Sequence, residues 1–426
     1  MRLSGHSAAA AVLALALTAC GSGAPHAAPS PHPAPASPAA SAVAVPGCST
    51  TAAPGRQLPA GLARLFPVPG FPFGVAVTAD GRWSFVSLQP GGSGQGGLGV
   101  FADTGSAGPR LVRRITVPGG GGLGVTLTPD GRYLLVADVS GAAVVSVQAA
   151  EQGSRRAVLG TLAAGSPGGL AGGAIEVAAS RDGRFAFVSL EGADKIAVFN
   201  LQRALASHFA TSGFVGDVPT GVAPVGMAVS PDGNWLYSTS EVTSMRALQH
   251  AARSAHRYRA PGAPGTLAVI SVHKAETDPA RAIVSTVIAG CSPVRVITST
   301  GGETVWVTAR ESDMLLGFSA SRLRSDPGHS LIARVGVGEA PVGLALVDGG
   351  QRVVVADSNR FGQQGAKSSL AVVNVGAALA HRPALAGYLP AGGFPRQMAL
   401  EPDGRTLLVT NFESQQLETV NVTNLP

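Results

Sequence analysis

The chain has 426 residues, which is enough for one large domain or for two or three ordinary ones. Only 13% of the residues are charged and 5% are aromatic, whereas 57 are glycine and 31 are proline. This composition is typical of short apolar segments joined by tight turns, and it disfavours long surface helices. The net charge of +6 is modest and is spread along the chain, which argues against a nucleic-acid partner.

The first twenty residues have the pattern of an export signal. Arg2 precedes the apolar run "AAAAVLALALTAC", which has the length of a signal-peptide core and is too short for a membrane-spanning helix. The run ends in Leu17-Thr18-Ala19-Cys20, which resembles the lipobox of bacterial lipoproteins. We therefore predict that residues 1–19 are a lipoprotein signal peptide and that Cys20 is lipidated. The alternative is a plain secretory signal with an incidental cysteine.

A lipid-anchored protein needs a spacer, and the next segment has a suitable composition. Residues 20–61 are rich in alanine, proline and serine, which cannot bury a core and which favour an extended tether. Because two or more acyl chains hold a protein stably at a membrane, we predict an extracytoplasmic location on the bacterial cell membrane.

The cysteine count predicts one disulfide bond. The chain has three cysteines, and lipidation of Cys20 leaves Cys48 and Cys291 as an even pair in an oxidising compartment. The alternative is two separate free thiols. In the loop-entropy model, closing so long a loop stabilises the fold by about 4–5 kcal/mol.

A turn signal recurs seven times at similar intervals. Each copy joins an apolar strand to a second strand, and Asp-Gly between apolar runs is a strong hairpin signal. A third and a fourth strand follow in each unit, so the period suits a four-stranded antiparallel sheet. The full copies of the turn are Asp80-Gly81, Asp130-Gly131, Asp182-Gly183, Asp232-Gly233 and Asp403-Gly404, and the degenerate copies are Gly301-Gly302 and Gly349-Gly350.

The two ends of the repeat region complement each other. The last unit, residues 395–421, has only three strands, whereas "LARLFPVPG" at 62–70 matches the fourth-strand pattern of "LVRRITVPG" at 111–119. We predict that the N-terminal strand completes the last blade and thereby closes a ring without an exposed edge. The fold class is therefore all-β, a seven-bladed β-propeller of four-stranded antiparallel blades over residues 62–426.

Several segments carry a family resemblance. "SPDGNWLYSTS" at 230–240, "EPDGRTLLVTN" at 401–411 and the lead-in "GVAP" at 221–224 resemble the YVTN repeat of surface-layer and YncE-like propellers. That group includes lactonase-like proteins, which are similar to 6-phosphogluconolactonase propellers. The resemblance implies a propeller from Leu62 onward. It implies little about activity, because the matching residues serve turns and strand packing.

Two sets of positions are candidates for a site at the channel mouth. Six residues before the turn aspartate, four units have glycine and the other three have Glu176, Arg295 and Gln397. Departures from a repeat's own consensus are places where function is introduced. The second set lies where the second strands end, and it comprises Asp138, Glu191, Glu241, Arg310, Asp357 and Asn411.

From these sets we predict a polar cluster around the channel mouth. Its centre is Glu176, Glu241, Arg295 and Arg310, and its outer candidates are Arg396, Gln397, Asp138, Asp357 and Asn411. Carboxylates mixed with guanidinium groups suit a small anionic or polyhydroxylated ligand, because arginine makes bidentate contacts. The alternative is that these charges pair with one another and only solvate the channel.

Two functions fit this pattern. We favour a binding or scaffold propeller that holds a small ligand or an envelope protein, and we assign no catalytic residue, metal ligand or cofactor. The alternative is a lactonase-type hydrolase, in which Glu176 or Glu241 acts as the base and Arg295 or Arg310 stabilises an oxyanion. Residues 242–265 form an insertion that is either a lid or partner surface, or a tolerated loop.

Overall fold

The computed structural model describes most of the chain after the N-terminal segment. The predicted signal peptide, Cys20 and most of the insertion after Glu241 lie outside the described residues. Those residues are 43–48, 51–90, 96–103, 108–120, 122–138, 141–164, 173–244, 263–362 and 367–426.

The chain forms seven four-stranded antiparallel sheets, which confirms the predicted propeller. The first strand of each blade contacts the first strands of its two neighbours, so the sheets form a closed ring around a channel. The strands are, in blade 1, β2 Phe71–Val77, β3 Trp83–Gln89, β4 Gly97–Asp103 and β5 Pro109–Ile115; in blade 2, β6 Val125–Leu127, β7 Tyr133–Asp138, β8 Gly141–Ser146 and β9 Val158–Ala163; in blade 3, β10 Ala174–Ala179, β11 Phe185–Leu190, β12 Lys195–Asn200 and β13 Phe214–Pro219; in blade 4, β14 Val222–Val229, β15 Trp235–Val242, β16 Pro264–Ser271 and β17 Ile283–Cys291; in blade 5, β18 Pro293–Thr298, β19 Thr304–Ala309, β20 Met314–Ser319 and β21 Leu331–Gly336; in blade 6, β22 Pro341–Val347, β23 Arg352–Asp357, β24 Ser369–Asn374 and β25 Leu385–Pro390; and in blade 7, β26 Pro395–Leu400, β27 Thr406–Asn411, β28 Gln416–Asn421 and β1 Ala63–Pro67.

Within the described ranges, short helices follow five of the third strands. Each begins after a serine or asparagine whose side chain accepts a hydrogen bond from a backbone N–H of the first turn, which is a favourable N-cap. The helices are α1 Val147–Gln152, α2 Leu201–Ala206, α3 Val272–Thr277, α4 Ala320–Ser325 and α5 Val375–Leu379. Single 3₁₀ turns are Ala60–Leu62, Pro118–Gly120, Glu191–Ala193, Pro279–Arg281, Arg310–Ser312, Pro327–His329 and Asp348–Gly350.

The N-terminal strand closes the ring as predicted. β1 pairs antiparallel with β28, with Ala63 opposite Val420 and Pro67 opposite Gln416. The outer strand of blade 7 therefore comes from the start of the propeller and its other three strands from the end. This arrangement ties the two ends of the repeat region together in one sheet.

The Asp-Gly turns carry a repeated hydrogen-bond network on one face of the propeller, which we call the turn face. In blade 1, Thr78 Oγ1 donates to Asp80 Oδ1 at 2.6 Å, and the same carboxylate accepts from the Arg82 N–H at 3.1 Å. Gly81 has φ +69°, which a residue with a side chain rarely adopts. The same contacts recur around the next three turn aspartates, Asp130, Asp182 and Asp232.

A ring of hydroxyl groups links the blades around the channel. Ser189 on β11 accepts from the Glu176 N–H at 3.1 Å and donates to the Val225 carbonyl of the next blade at 2.9 Å. Thr410 makes the corresponding contacts with the Gln397 N–H at 3.0 Å and with the Phe73 carbonyl at 2.9 Å. Each hydroxyl thus satisfies two buried backbone groups, and Thr410 joins blade 7 to blade 1. Ser87 and Thr308 occupy the equivalent positions.

Cys48 and Cys291 form a disulfide bond, which confirms the predicted pairing. We call the described part of residues 43–58 the strap. Ser312 Oγ donates to the Gly47 carbonyl at 3.0 Å, and the Ala53 N–H donates to the Val337 carbonyl at 2.8 Å. The strap therefore contacts blades 4 and 5, and its later residues hydrogen-bond to blade 6 before the chain enters β1. None of the helices in the described ranges is long and apolar enough to cross a membrane.

Candidate functional site

Three polar side chains meet inside the channel, at the positions that the repeat alignment selected. Glu176, Arg295 and Gln397 lie on the first strands of blades 3, 5 and 7. Gln397 Nε2 donates to Glu176 Oε2 at 2.7 Å, and Arg295 Nη2 lies 3.3 Å from the same oxygen. Glu176 is 7% exposed and Arg295 is 6% exposed. We call this trio the channel plug.

Glycines in the neighbouring blades make room for the plug. A Cβ atom at Gly74 would lie 2.6 Å from Gln397 Oε1, and one at Gly124 would overlap the Glu176 carboxylate. A Cβ atom at Gly226 would lie 2.9 Å from the Arg295 Cα atom. The long side chains of Gln397 and Glu176 thus occupy space that side chains at positions 74 and 124 would otherwise need, whereas Gly226 permits the close approach of the neighbouring strand's backbone.

The plug lies between two cavities. The mouth cavity, of about 350 Å³, is lined by Arg295 and by other strand and loop residues of all seven blades. The turn-side cavity, of about 440 Å³, is lined by all three plug residues and mainly by apolar residues of the first strands. Arg295 borders both cavities, whereas Glu176 and Gln397 border the turn-side one. The mouth cavity is therefore a pocket with a polar floor.

Charged residues of both signs surround the mouth cavity. Arg310 Nη2 lies 2.8 Å from Glu241 Oε2 and also donates to Ser292 Oγ at 2.8 Å. Glu191 and Arg310 are the first residues of equivalent 3₁₀ turns, each directly after a second strand. Equivalent positions in different blades thus supply opposite charges to the same cavity.

Arg396 lies in an aromatic box at the rim of the mouth cavity. Its guanidinium carbon is 3.8 Å from the ring centroid of Phe73, 5.0 Å from that of Phe394 and 5.3 Å from that of Phe412. Such contacts stabilise a cation and fix its orientation. Its Nε atom is buried without a hydrogen-bond partner, and in the described part of the chain no carboxylate lies within ion-pair distance.

The arginines of the cavity repel one another. Burial lowers the pKa of Arg396, and the charges of Arg295, Arg360 and Arg310 lower it further. Burial also lowers the pKa of Arg360, and Arg310 adds to that effect. An anion in the mouth cavity would relieve both repulsions.

The pKa values of two carboxyl groups in the site are shifted upward, whereas those of two arginines are shifted downward. Burial raises the pKa of Glu176, against the opposing effect of Arg295. Burial also raises the pKa of Glu191, and the nearby charge of Glu241 raises it further. The site therefore holds two carboxyl groups that are harder to ionise than in water, beside arginines under mutual repulsion.

The structure brings some of the predicted residues together and separates others. Glu241, Arg295, Arg310 and Arg396 line the mouth cavity, whereas Glu176 and Gln397 lie beneath it. The remaining three candidates are the last residues of second strands, are fully buried, and do not line the mouth cavity; they are Asp138, Asp357 and Asn411.

The buried candidates have structural partners instead. Asp357 accepts a hydrogen bond from Ser369 Oγ at 3.1 Å, and Asn411 Nδ2 donates to Glu418 Oε2 at 2.6 Å. In blades 3 and 5 the residue that reaches the cavity follows the strand end by one position, as Glu191 does after Leu190. A shift of one residue thus moves a side chain from the cavity to the space between blades.

Sequence reasoning missed Arg360 and the aromatic box. A signal exists for one ring of the box, because the lead-in of blade 7 reads Phe394-Pro395 where blades 4 and 6 read Ala-Pro. Within the described residues, no group of three or more histidine, cysteine, aspartate or glutamate side chains is placed to hold a metal ion.

Fold and site define a seven-bladed propeller whose channel contains a polar plug below a charged pocket. A model of the family described as "Lactonase, 7-bladed beta-propeller" matches residues 75–360. Because the match spans more than half of the chain, the protein belongs to this family.

Solved structures share the fold at low sequence identity. A hydrazine synthase of Kuenenia stuttgartiensis is 15% identical, with a TM-score of 0.61, and the match covers 83% of this chain and 96% of that one. A chain of a mitotic checkpoint complex is 13% identical, with a TM-score of 0.61, over 85% of this chain and 94% of that one. At these identities the likeness concerns the fold alone. No curated protein matches the sequence.

Proposed function

We propose that this protein is an extracytoplasmic binding protein whose mouth cavity holds a small anionic ligand. The observation that carries the proposal is Arg396. Three phenylalanine rings orient its guanidinium group, yet none of the described carboxylates pairs with it. A half-buried charge with an unpaired Nε atom is costly, and an anionic ligand would supply the partner through charge-assisted hydrogen bonds.

The remaining charges support the same ligand class. Arg310 is paired with Glu241, and Arg295 with Glu176, so the charges of these two arginines are already offset within the protein. Arg360 and Arg396 both lie beside the Phe394 ring, at 6.0 Å and 5.0 Å from its centroid. A carboxylate or phosphate group next to this ring would contact two cations at once.

The binding proposal is tested with the mature chain carrying Cys20→Ser, so that it can be purified without lipid. Isothermal titration calorimetry against small carboxylates and inorganic phosphate should detect binding, and Arg396→Gln should weaken it at least tenfold. Arg203→Gln, an exposed change on α2, is the matched control and should leave binding unchanged. Equal affinities for Arg396→Gln and the unmodified chain would refute the proposal.

The proposed location rests on the N-terminal sequence and on the disulfide bond. An export signal ending at Cys20 and a Cys48–Cys291 bond are both expected of a protein outside the cytoplasm. We expect metabolic labelling with a fatty-acid analogue to mark the full chain and not Cys20→Ser. Labelling of both chains, or of neither, would contradict the lipid anchor.

A lactonase-like hydrolase is the second candidate, and Glu176 is the observation that favours it. Burial raises the pKa of this carboxyl toward the range of a general base, and Arg295 could stabilise an oxyanion beside it. Both residues border the turn-side cavity, so a lactone would have to enter from that side. Glu241 is held by Arg310 and is the weaker candidate for the base.

The hydrolase proposal is tested by measuring hydrolysis of a panel of lactones. We expect Glu176→Gln to lower turnover by about 10²-fold or more while the variant remains folded. Gln397→Asn, which shortens the neighbouring plug residue without removing a charge, is the matched comparison. If the unmodified chain opens none of the lactones, this second candidate is abandoned and the binding proposal is unaffected.

A further inference from the structure

The mouth cavity contains charges of both signs that form no ion pair with any residue the structure describes. In the described residues, the Glu191 carboxylate has neither an ion pair nor a side-chain hydrogen bond, although it lines the cavity. Arg360 and Arg396 line the same cavity and also lack a carboxylate within ion-pair distance, counted over the same described part of the chain. Glu241 and Arg310 differ, because they neutralise each other at 2.8 Å.

These unpaired charges lie on opposite sides of the ring. Glu191 follows β11 in blade 3, whereas Arg360 follows β23 in blade 6 and Arg396 lies on β26 in blade 7. In a ring of seven blades, blades 6 and 7 are the two farthest from blade 3. The cavity therefore has a negative pole at blade 3 and a positive pole at blades 6 and 7.

We propose that the mouth cavity recognises a zwitterion, a small aliphatic amino acid whose ammonium group binds Glu191 and whose carboxylate binds Arg360 and Arg396. This inference rests on the proposed binding function and specifies its ligand. The cavity, of about 350 Å³, has room for a molecule of this size between the two poles.

The physical argument is that each pole loses water when a ligand enters. A simple carboxylate compensates Arg360 and Arg396 but removes water from Glu191 without supplying a counter-charge. A simple amine compensates Glu191 but removes water from the two arginines without supplying a counter-charge. Only a ligand with separated charges compensates both poles, and each contact is then a charge-assisted hydrogen bond.

The electrostatics of the empty cavity agree with this arrangement. Burial and the charge of Glu241 raise the pKa of Glu191 against the opposing charges of Arg310, Arg360 and Arg396, and an ammonium group would lower it further. The other arginines add to burial in lowering the pKa of Arg396, which a carboxylate would reverse. The two effects are relieved by opposite charges, so one ligand must carry both to relieve them together.

The test uses three ligands with the same four-carbon skeleton, 4-aminobutyrate, butyrate and butylamine, titrated into the mature Cys20→Ser chain. We expect 4-aminobutyrate to bind at least tenfold more tightly than either singly charged compound. A series of unbranched amino acids, from glycine to 6-aminohexanoate, finds the chain length that best spans the two poles.

Variants then test which residue binds each charged end of the ligand. Glu191→Gln should reduce the affinity for the best amino acid to that for the matching simple carboxylate, and it should not weaken carboxylate binding. Arg396→Gln should weaken both. Glu303→Gln, an exposed change on the turn face, is the matched control for the loss of a carboxylate. Circular dichroism of each variant establishes that it is folded.

A second variant distinguishes loss of the Glu191 charge from a general disturbance of the cavity. Glu191→Asp keeps the charge and withdraws it by one methylene, so the preferred amino acid should become about one methylene longer. If butyrate binds as tightly as 4-aminobutyrate and Glu191→Gln changes nothing, the zwitterion is wrong while the anionic-ligand proposal stands. If no compound in either set binds, both proposals fail.

Discussion

The turn face and the mouth face of this propeller are built from the same repeat in opposite ways. On the turn face, four blades repeat one arrangement, in which a serine or threonine hydroxyl and a backbone N–H hold the turn aspartate. On the mouth face, the residues that line the cavity differ from blade to blade, as Glu191 and Arg310 do. Repetition thus maintains the ring, and departures from it supply the chemistry.

One residue can belong to both the hydrogen-bonded framework and the functional site. The Glu176 N–H donates to Ser189 in the hydroxyl ring, while the Glu176 carboxylate belongs to the channel plug. Gln397 divides its backbone and side chain in the same manner, with Thr410 as the hydroxyl partner. Because the backbone satisfies the framework, the side chain at this position is free to vary. Changes to the framework should therefore alter stability, and changes to the mouth should alter binding.

The largest expected effect comes from the disulfide bond, which belongs to the framework. Cys291→Ser should lower the free energy of unfolding by about 3–5 kcal/mol, because the bond closes a loop with a sequence separation of 243 residues. Guanidinium unfolding monitored by tryptophan fluorescence measures the loss, and the reduced unmodified chain is the control. Unfolding midpoints that agree with and without the bond would show that the strap is held by its other contacts alone.

The hydroxyl that closes the ring should have the next largest effect. Thr410→Val keeps the side-chain shape but leaves the Gln397 N–H and the Phe73 carbonyl without their partner, in two different blades. We expect a loss of about 2–3 kcal/mol in the free energy of unfolding.

Thr239 provides the matched control for that change. Among the described residues, its hydroxyl hydrogen-bonds to Gly226 of its own blade alone, at 3.0 Å to the N–H and 3.5 Å to the carbonyl. Thr239→Val should therefore cost about 1 kcal/mol. If the two valine variants are equally stable, the contact between blades adds nothing to the contact within a blade.

The framework could be predicted from the sequence because its signals are local. An Asp-Gly pair between apolar runs is a strong hairpin signal, and five such turns, two degenerate copies and one leftover strand predicted the closure by β1. The plug was also accessible, because Glu176, Arg295 and Gln397 keep a constant distance from their turns. Because hydrogen bonding sets the spacing between this position and the turn, the spacing found in one blade applies to the others.

The mouth was less predictable, because several of its residues lie beyond the last paired residue of a second strand, as Glu191 and Arg310 do after Leu190 and Ala309. Asp357 is paired with Ser369 at the strand end and points between blades, whereas Glu191 is one residue farther along and lines the cavity. Arg360 is in an irregular loop, where no period fixes its direction. Its proximity to Phe394 depends on packing between blades 6 and 7, which no local pattern encodes.

The smallest expected effect concerns the turn of blade 7, which has a carboxylate where the first four blades have a serine or threonine hydroxyl. Glu401 occupies the position that Thr78 holds in blade 1, and burial raises its pKa to about 7, with further effects of Asp103 and Asp403. The folded-state pKa thus lies above the ordinary value of 4.5. The native state therefore binds the proton more tightly, so the contribution of Glu401 to stability is fully present below pH 4.5 and is lost as the pH rises through about 7.

Glu401→Gln removes this titration and should flatten the decline between pH 5 and pH 8. The residue is half-buried and its neighbours are partly solvated, so we expect a difference of less than about 1 kcal/mol. Calorimetric melting at several pH values measures it, with Glu413→Gln as the control for an exposed carboxylate. If Glu401→Gln and the unmodified chain lose stability in parallel, a carboxylate replaces the turn hydroxyl without penalty. The turns would then tolerate changes of residue type as freely as the mouth does. The distinction between a repeated framework and a variable mouth would depend only on the ring of hydroxyl groups around the channel.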